Sequence, residues 1–117
     1  MRELPDGTLE VSEGETVTVT VTARNHPFLA AFSDLKHRQW QNIRYESERS
    51  QVREVNFTNG FPPDDRFVVT YDFIQDDGET PTGASYLERV EGDMGSYFRE
   101  STIESPAKRR VRFRKQQ

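Results

Sequence analysis

The stretch Glu15–Arg24, with the sequence ETVTVTVTAR, constrains the fold of this chain more than any other. Valine and threonine alternate strictly here, and a period of two residues is typical of a β-strand with one buried face. Both residue types are β-branched, which also favours an extended conformation. Val17, Val19 and Val21 are therefore expected to face a hydrophobic core, and the intervening threonines to face solvent.

Short apolar runs with the same period recur along the 117 residues and are separated by turn-forming residues. The most apolar run, at residues 66–74, carries apolar side chains on both faces, so both faces are expected to be covered. No internal repeat or linker-like segment divides the chain. The pattern predicts an all-β fold, a single antiparallel β-sandwich of about seven strands that spans residues 1–117.

Residues 27–38 depart from the strand pattern. Phe28, Leu29, Phe32 and Leu35 are spaced as on one face of a helix, and the asparagine and proline before them suit its first turn. One short helix is therefore one of two alternatives for 27–38. The alternative is that the sequence PFLAAF within this segment forms a buried strand.

Two motifs resemble a known family. The sequence LEVSEGETVTVTVTAR resembles the opening of an immunoglobulin-like domain, and GDMGSYF is similar to the tyrosine corner of that fold, with Asp93, Gly95 and Tyr97 in its places. The resemblance implies an immunoglobulin-like sandwich in which Val21 and Arg99 occupy the family's disulfide positions. The stretch VSEGETVTV also resembles the start of a Calx-beta repeat, another sandwich. Neither likeness implies a particular function.

Several classes of chemistry are excluded or disfavoured. The chain has no cysteine, which excludes disulfides, thiol nucleophiles and thiolate metal sites. Glycine-rich phosphate loops, nucleophile elbows and zinc motifs are absent from the sequence. The sequence therefore predicts a protein that is not an enzyme. Carboxylates are numerous, so a small hydrolase or a small ligand-binding barrel remains as an alternative.

The C-terminal run KRRVRFRK carries six basic residues, although the whole chain has a net charge of −4. In this run Arg110, Arg112 and Arg114 alternate with Val111 and Phe113, which suit the inward face of a strand. The three arginines are candidates for binding an anionic ligand. The alternative is structural: the arginines lie against the chain's own carboxylates and protect a sheet edge from aggregation.

A second candidate surface lies in the sequence HRQWQNIRY, where Trp40, Arg44 and Tyr45 could form a stacking platform for a sugar ring or a base. The alternative places Trp40 in the core, because tryptophan usually buries most of its ring. The immunoglobulin-like resemblance implies the same core position.

A third candidate is a metal site. Two acidic turns, one with Asp64 and Asp65 and the other, DDGE, with Asp76, Asp77 and Glu79, could supply oxygen ligands to calcium at one end of the sandwich. The alternative is a solvated turn, in which Asp-Gly is chosen for its conformation. No cofactor is expected, with calcium as the alternative.

These observations predict a non-catalytic binding or interaction module that recognises a carbohydrate or protein ligand through its loops or a sheet face. The alternative function is a calcium-dependent structural module of a larger assembly. Nucleic acid is disfavoured as a partner. No apolar run is long enough for a membrane span. The N-terminus lacks the apolar segment of a signal peptide, so we expect a cytoplasmic protein, or a secreted one whose signal has been removed.

Overall fold

The computed structural model describes residues 1–24, 29–32, 40–47, 50–58, 60–74, 81–93 and 95–117, with main chain alone for 29–32 and 40–47. These residues form ten β-strands and no helix. The strands are β1 (Arg2–Glu3), β2 (Leu9–Val11), β3 (Thr16–Ala23), β4 (Leu29–Phe32), β5 (Trp40–Ser47), β6 (Ser50–Asn56), β7 (Arg66–Ile74), β8 (Ser85–Gly92), β9 (Gly95–Thr102) and β10 (Lys108–Lys115).

The strands form two five-stranded sheets. Sheet I has the order β1-β2-β10-β7-β4, and sheet II has the order β5-β6-β3-β8-β9. All neighbouring pairs are antiparallel except β2 and β10, which are parallel. The prediction of an all-β, mainly antiparallel fold is confirmed, and the two sheets are arranged as in a sandwich.

The alternating strand β3 behaves largely as its sequence predicts. Val17, Val19 and Val21 are fully buried in the hydrophobic core. The threonine face is less exposed than expected, because Thr20 is buried and the other threonines of β3 are half-buried. This strand lies between β6 and β8 in sheet II, so side chains of both neighbours shield its outer face.

Most of the core is built by inward-facing residues of strands from both sheets. From sheet II come the valines of β3 together with Val55, Tyr86 and Val90. Sheet I contributes alternate residues, which are Leu9, Val11, Phe67, Val69, Tyr71, Phe73, Val111 and Phe113. Phe57 follows β6 and joins the two sets: its ring stacks on Phe61 at 4.3 Å between centroids and meets Phe67 edge-on at 5.8 Å. Packing of this kind suits a fold with few aliphatic residues, because aromatic rings bury a large area each.

The structure decides between the two alternatives for residues 27–38 and corrects one other expectation. Leu29–Phe32 forms strand β4, whose main chain pairs with β7, and not part of a helix; the rest of that segment lies outside the described residues. Helical spacing of a short apolar run is ambiguous, and here pairing with a long neighbouring strand decides the conformation. The outer face of β7 is also not fully covered, since Val68 is half-buried and Ile74 is 39% exposed.

Candidate anion-binding surface

In strand β10 the side chains of odd-numbered residues point to one face of sheet I and those of even-numbered residues to the other. Val111 and Phe113 point into the core and are 2% and 1% exposed. The side chains of Lys108, Arg110, Arg112 and Arg114 point outward from sheet I, where the first three are exposed and Arg114 is half-buried. We call these four side chains the arginine face. Alternate residues of a strand are about 7 Å apart, so the arginine face is a row of evenly spaced cations.

Two members of the arginine face are neutralised by neighbouring strands. One guanidinium nitrogen of Arg114 lies 2.9 Å from a carboxylate oxygen of Glu10 on β2. The ammonium of Lys108 lies 3.8 Å from the carboxylate of Asp72 on β7. The structural interpretation of the basic run therefore holds at its two ends.

The two central members, Arg110 and Arg112, have no ion-pair partner in the part of the chain that the structure describes. The residues directly opposite them on β7 are Thr70 and Val68, neither of which carries a charge. Exposed guanidinium groups without a carboxylate partner remain available to anions, and a planar guanidinium can bind a carboxylate, sulfate or phosphate with two parallel hydrogen bonds.

A groove of about 700 Å³ opens on the outer surface of sheet I beside Arg112. Its base includes Val68 and Thr70, and its wall includes Pro62 and Pro63 from the loop between β6 and β7. Its rim also carries Arg66, which is exposed, and Asp64, whose carboxylate accepts the main-chain N–H of Arg66 at 3.2 Å. We call this the outer groove; its volume lies within the range typical of ligand sites.

Arg112 also lines two clefts on the opposite side of β10. The larger, of about 520 Å³, is walled by Arg99, Ser101 and Thr102 of β9 and by the turn that precedes β10. The smaller, of about 180 Å³, lies beneath the Leu4–Thr8 turn and is lined by Glu3 and Asp6 as well as by arginines. Arg99, Arg109, Arg110 and Arg112 border both of them, and we call the two together the edge clefts.

The charge of Arg109 is neutralised from within the sandwich. Its side chain makes two hydrogen bonds to the fully buried carboxylate of Glu88 on β8, of 3.0 and 2.9 Å, and so links sheet I to sheet II. Desolvation by itself lowers the pKa of the Arg109 guanidinium, but the hydrogen bonds and charge of Glu88 outweigh it and raise that pKa. Arg109 thus supports the clefts without adding a free charge.

Tyr71 completes this buried polar cluster. Its hydroxyl donates a short hydrogen bond to Glu88, and it is the residue directly opposite Arg109 in the sheet. Burial, followed by the charge and the hydrogen bond of Glu88, raises the pKa of the Tyr71 phenol well above its ordinary value. Tyr71 consequently stays protonated in the folded protein well beyond neutral pH.

At the wall of the edge clefts, Arg99 makes a hydrogen bond to a neutral side chain. One of its guanidinium nitrogens donates to the hydroxyl of Tyr86 at 3.1 Å. Burial raises the pKa of this tyrosine, partly opposed by the charge of Arg99. In the pairing of β8 with β9, Arg99 lies directly opposite the buried Glu88.

The other predicted site residues lie elsewhere. Trp40, Arg44 and Tyr45 belong to β5, the outer strand of sheet II, where they pair with Val55, Val52 and Gln51; their side chains lie outside the described residues.

Of the predicted calcium ligands, Asp76, Asp77 and Glu79 lie outside the described residues, and Asp64 and Asp65 lie in the loop before β7. Across the ranges that are described, no group of three or more histidine, aspartate or glutamate side chains is placed to hold a metal ion. Among these same residues, none forms a helix long and apolar enough to cross a bilayer.

Sequence reasoning identified Arg110, Arg112 and Arg114 but missed Arg66, Arg99 and the buried role of Arg109. The parity of β10 was a usable signal for Arg109, because this residue falls on the inward side with Val111. Arg66 and Arg99 carried no such signal, since only strand pairing and sheet packing bring them near β10.

Comparisons of the chain with protein-family models, with curated proteins and with solved structures found no match.

Proposed function

We propose that this protein is a non-catalytic binding module that recognises an anionic ligand, either a carbohydrate or a protein, through the arginine face of β10. The proposal rests on the exposure of Arg110 and Arg112 and on their lack of carboxylate partners in the described part of the chain. Both are exposed, both lack a carboxylate partner among the described residues, and both lie beside clefts in the surface.

The surroundings of these arginines favour selective binding over a general attraction of counterions. The outer groove offers an apolar base, two prolines and a threonine hydroxyl beside Arg112. Ligand sites commonly combine apolar walls with a few well-placed polar groups. An elongated anion with charges about 7 Å apart would match the spacing of Arg110 and Arg112.

For the fold, we infer an immunoglobulin-like arrangement with one insertion. Strands β3, β6 and β5 would correspond to B, E and D of that fold, and β4, β7 and β10 to C, F and G, which supports the inference. The β8–β9 hairpin would then be inserted between F and G and lie beside B. In this correspondence Asp93 and Tyr97 belong to the inserted hairpin, so the GDMGSYF motif does not act as a tyrosine corner.

The test compares ligands and variants by calorimetry. The probes are a sulfated oligosaccharide, polyglutamate and a neutral oligosaccharide, and the variant is Arg110→Gln/Arg112→Gln. The matched control is Arg24→Gln/Arg89→Gln, which removes the same number of charges at the exposed Arg24 and the half-buried Arg89, each ion-paired with a glutamate and distant from the arginine face in the fold. We expect at least one anionic probe to bind and the first variant to weaken it about tenfold, as two exposed ion contacts together would.

Binding of the neutral oligosaccharide with the same affinity as the sulfated one would contradict the proposal. Equal loss of binding in the control variant would also contradict it, because the effect would then follow from net charge alone.

A further inference from the structure

The main-chain N–H and C=O groups of β10 also point in two directions, toward β7 and away from it. The N–H of Phe73 donates to the carbonyl of Ala107 at 2.9 Å, and the N–H of Lys115 donates to the carbonyl of Asp65 at 2.9 Å. Odd-numbered residues of β10 therefore bond to β7, as the alternation of an antiparallel ladder requires. Even-numbered residues direct their N–H and C=O groups away from β7.

Strand β2 covers only one end of that second side. It pairs with Phe113, Arg114 and Lys115, and the N–H of Gln116 donates to the carbonyl of Val11 at 2.8 Å. The chain before β2 does not continue along β10, because residues Leu4–Thr8 close a turn through their own hydrogen bonds.

Residues 108–112 of β10 consequently form an open edge. The main-chain N–H groups of Arg110 and Arg112 find no acceptor among the residues that the structure describes. The carbonyl of Arg110 accepts a 3.0 Å hydrogen bond from the side chain of Arg109. Exposed edges of this kind accept an added strand, in which main-chain hydrogen bonds provide affinity and alternate side chains provide specificity.

The space and the positive charge along this edge suit one kind of ligand. The edge clefts lie along it, and Arg99, Arg110 and Arg112 contribute positive charge to them. Glu3 and Asp6 line the smaller cleft and Glu104 lines the larger one, so basic side chains outnumber carboxylates in both. Asp6 is engaged by the N–H of Thr8 at 3.0 Å. Free main-chain donors match a peptide better than a carbohydrate, since a peptide presents carbonyl oxygens at the strand repeat.

We propose that an acidic peptide segment in extended conformation adds to the open edge of β10 as a further strand of sheet I, in line with β2. This inference rests on the proposed function, since the arginine face supplies the charge. Side chains of an added strand that share the outer face with Arg110 and Arg112 lie beside them. The segment therefore carries a carboxylate at every second residue.

The test uses a short synthetic peptide that alternates glutamate and valine, and two N-methylated forms of it. In one form every glutamate nitrogen is methylated, and in the other every valine nitrogen. Methylation removes donors and blocks close approach, so one form loses binding about tenfold or more and the other retains it. Loss with methylated glutamate indicates an antiparallel strand, and loss with methylated valine a parallel strand.

Hydrogen exchange gives a second readout on the whole chain. Peptide binding is expected to slow exchange of the amide protons of Arg110 and Arg112, whereas that of Val111 changes little because it already bonds to β7. The Arg110→Gln/Arg112→Gln variant binds the unmethylated peptide about tenfold more weakly, and Arg24→Gln/Arg89→Gln binds it as before.

Equal binding of both methylated forms overturns strand addition and leaves anion binding by the arginine face intact. Binding of a sulfated oligosaccharide without binding of the peptide likewise overturns strand addition and leaves anion binding by the arginine face intact. If no anionic probe binds, both this inference and the proposed function fail.

Discussion

At the scale of single residues, the least expected feature is a carboxylate in the middle of the core. Glu88 is fully buried on the inward face of β8, which it shares with Tyr86 and Val90. It is tolerated because Arg109 contributes two hydrogen bonds and Tyr71 another. Buried charges require such pairing, since leaving water is costly for each ion.

Replacing Glu88 tests whether this cluster holds the sheets together. Glu88→Gln removes the negative charge and leaves the partly buried Arg109 without its counter-ion, so we expect the free energy of unfolding to fall by about 3 kcal/mol. Urea denaturation measures the change, with Glu91→Gln on the exposed end of the same strand as control. A loss as small as that of the control would show that the cluster contributes little.

The raised pKa of Tyr71 predicts how stability depends on pH. The unfolded chain releases this phenolic proton near the ordinary pKa of 10.0, whereas the folded protein keeps it. Above about pH 10 the unfolded state therefore binds fewer protons than the folded state, and stability falls as pH rises. Below about pH 10 the folded and unfolded states both keep this proton, so the full stabilisation that depends on the neutral phenol is present.

The Tyr71→Phe variant has no such proton to lose. Its free energy of unfolding is expected to fall less steeply with pH in alkaline solution than that of the wild type, as followed by denaturant titration at several pH values. Tyr86 and Tyr97 have pKa values raised by burial and act in the same direction, so some slope remains. Identical slopes in the two proteins would contradict the role given to Tyr71.

At the scale of elements, strand β10 combines a core face and the proposed binding face in consecutive residues. Phe113 packs against Phe57 with ring centroids 5.9 Å apart, and the neighbouring Arg112 is exposed on the opposite side. Substitutions on the outward face of the strand are thus expected to leave the core unchanged.

This separation predicts opposite outcomes for adjacent substitutions. Phe113→Ala should lower the free energy of unfolding by about 3–5 kcal/mol through loss of buried area and a cavity. Arg112→Ala should change it by less than about 0.5 kcal/mol. Thermal and urea unfolding check both, and Phe113→Leu, with a smaller expected loss, serves if the alanine variant does not fold. Similar losses for Phe113→Ala and Arg112→Ala would disprove the two-faced strand.

Elements with a clear period of two were predictable from the sequence. The valines of β3 and the alternation of Val111 and Phe113 in β10 both indicated buried faces, and both are buried. Strand β4 was not predictable, because four apolar residues fit a helix or a strand equally well. Its conformation depends on pairing with β7, about 40 residues further along the chain.

The candidate site was predictable only in part, for a related reason. The sequence indicated Arg110, Arg112 and Arg114 as one group of arginines. It gave no means of separating Arg114, which is paired with Glu10 across 104 residues of chain, from Arg110 and Arg112. Pairing between strands that are distant in the sequence decides which arginines meet a carboxylate partner. The local sequence pattern carries no information about that pairing.

At the scale of the whole molecule, charge is divided between an acidic protein and one basic strand. The net charge is −4, yet the centre of the arginine face carries two exposed guanidinium groups without carboxylate partners in the described ranges. Such a field attracts anions over a distance that salt shortens to about 10 Å at moderate ionic strength. The acidic remainder of the chain disfavours anions elsewhere on the protein.

The salt dependence of anion binding tests the central claim most directly. Affinity for the sulfated oligosaccharide or for the alternating acidic peptide is measured at several salt concentrations, for the wild type, Arg110→Gln/Arg112→Gln and Arg24→Gln/Arg89→Gln. If the arginine face is the binding surface, affinity falls with salt in the wild type and in the control. In the first variant affinity is about tenfold lower at low salt and depends less on salt. Equal affinities and equal salt dependence in all three proteins would contradict the assignment of function to β10.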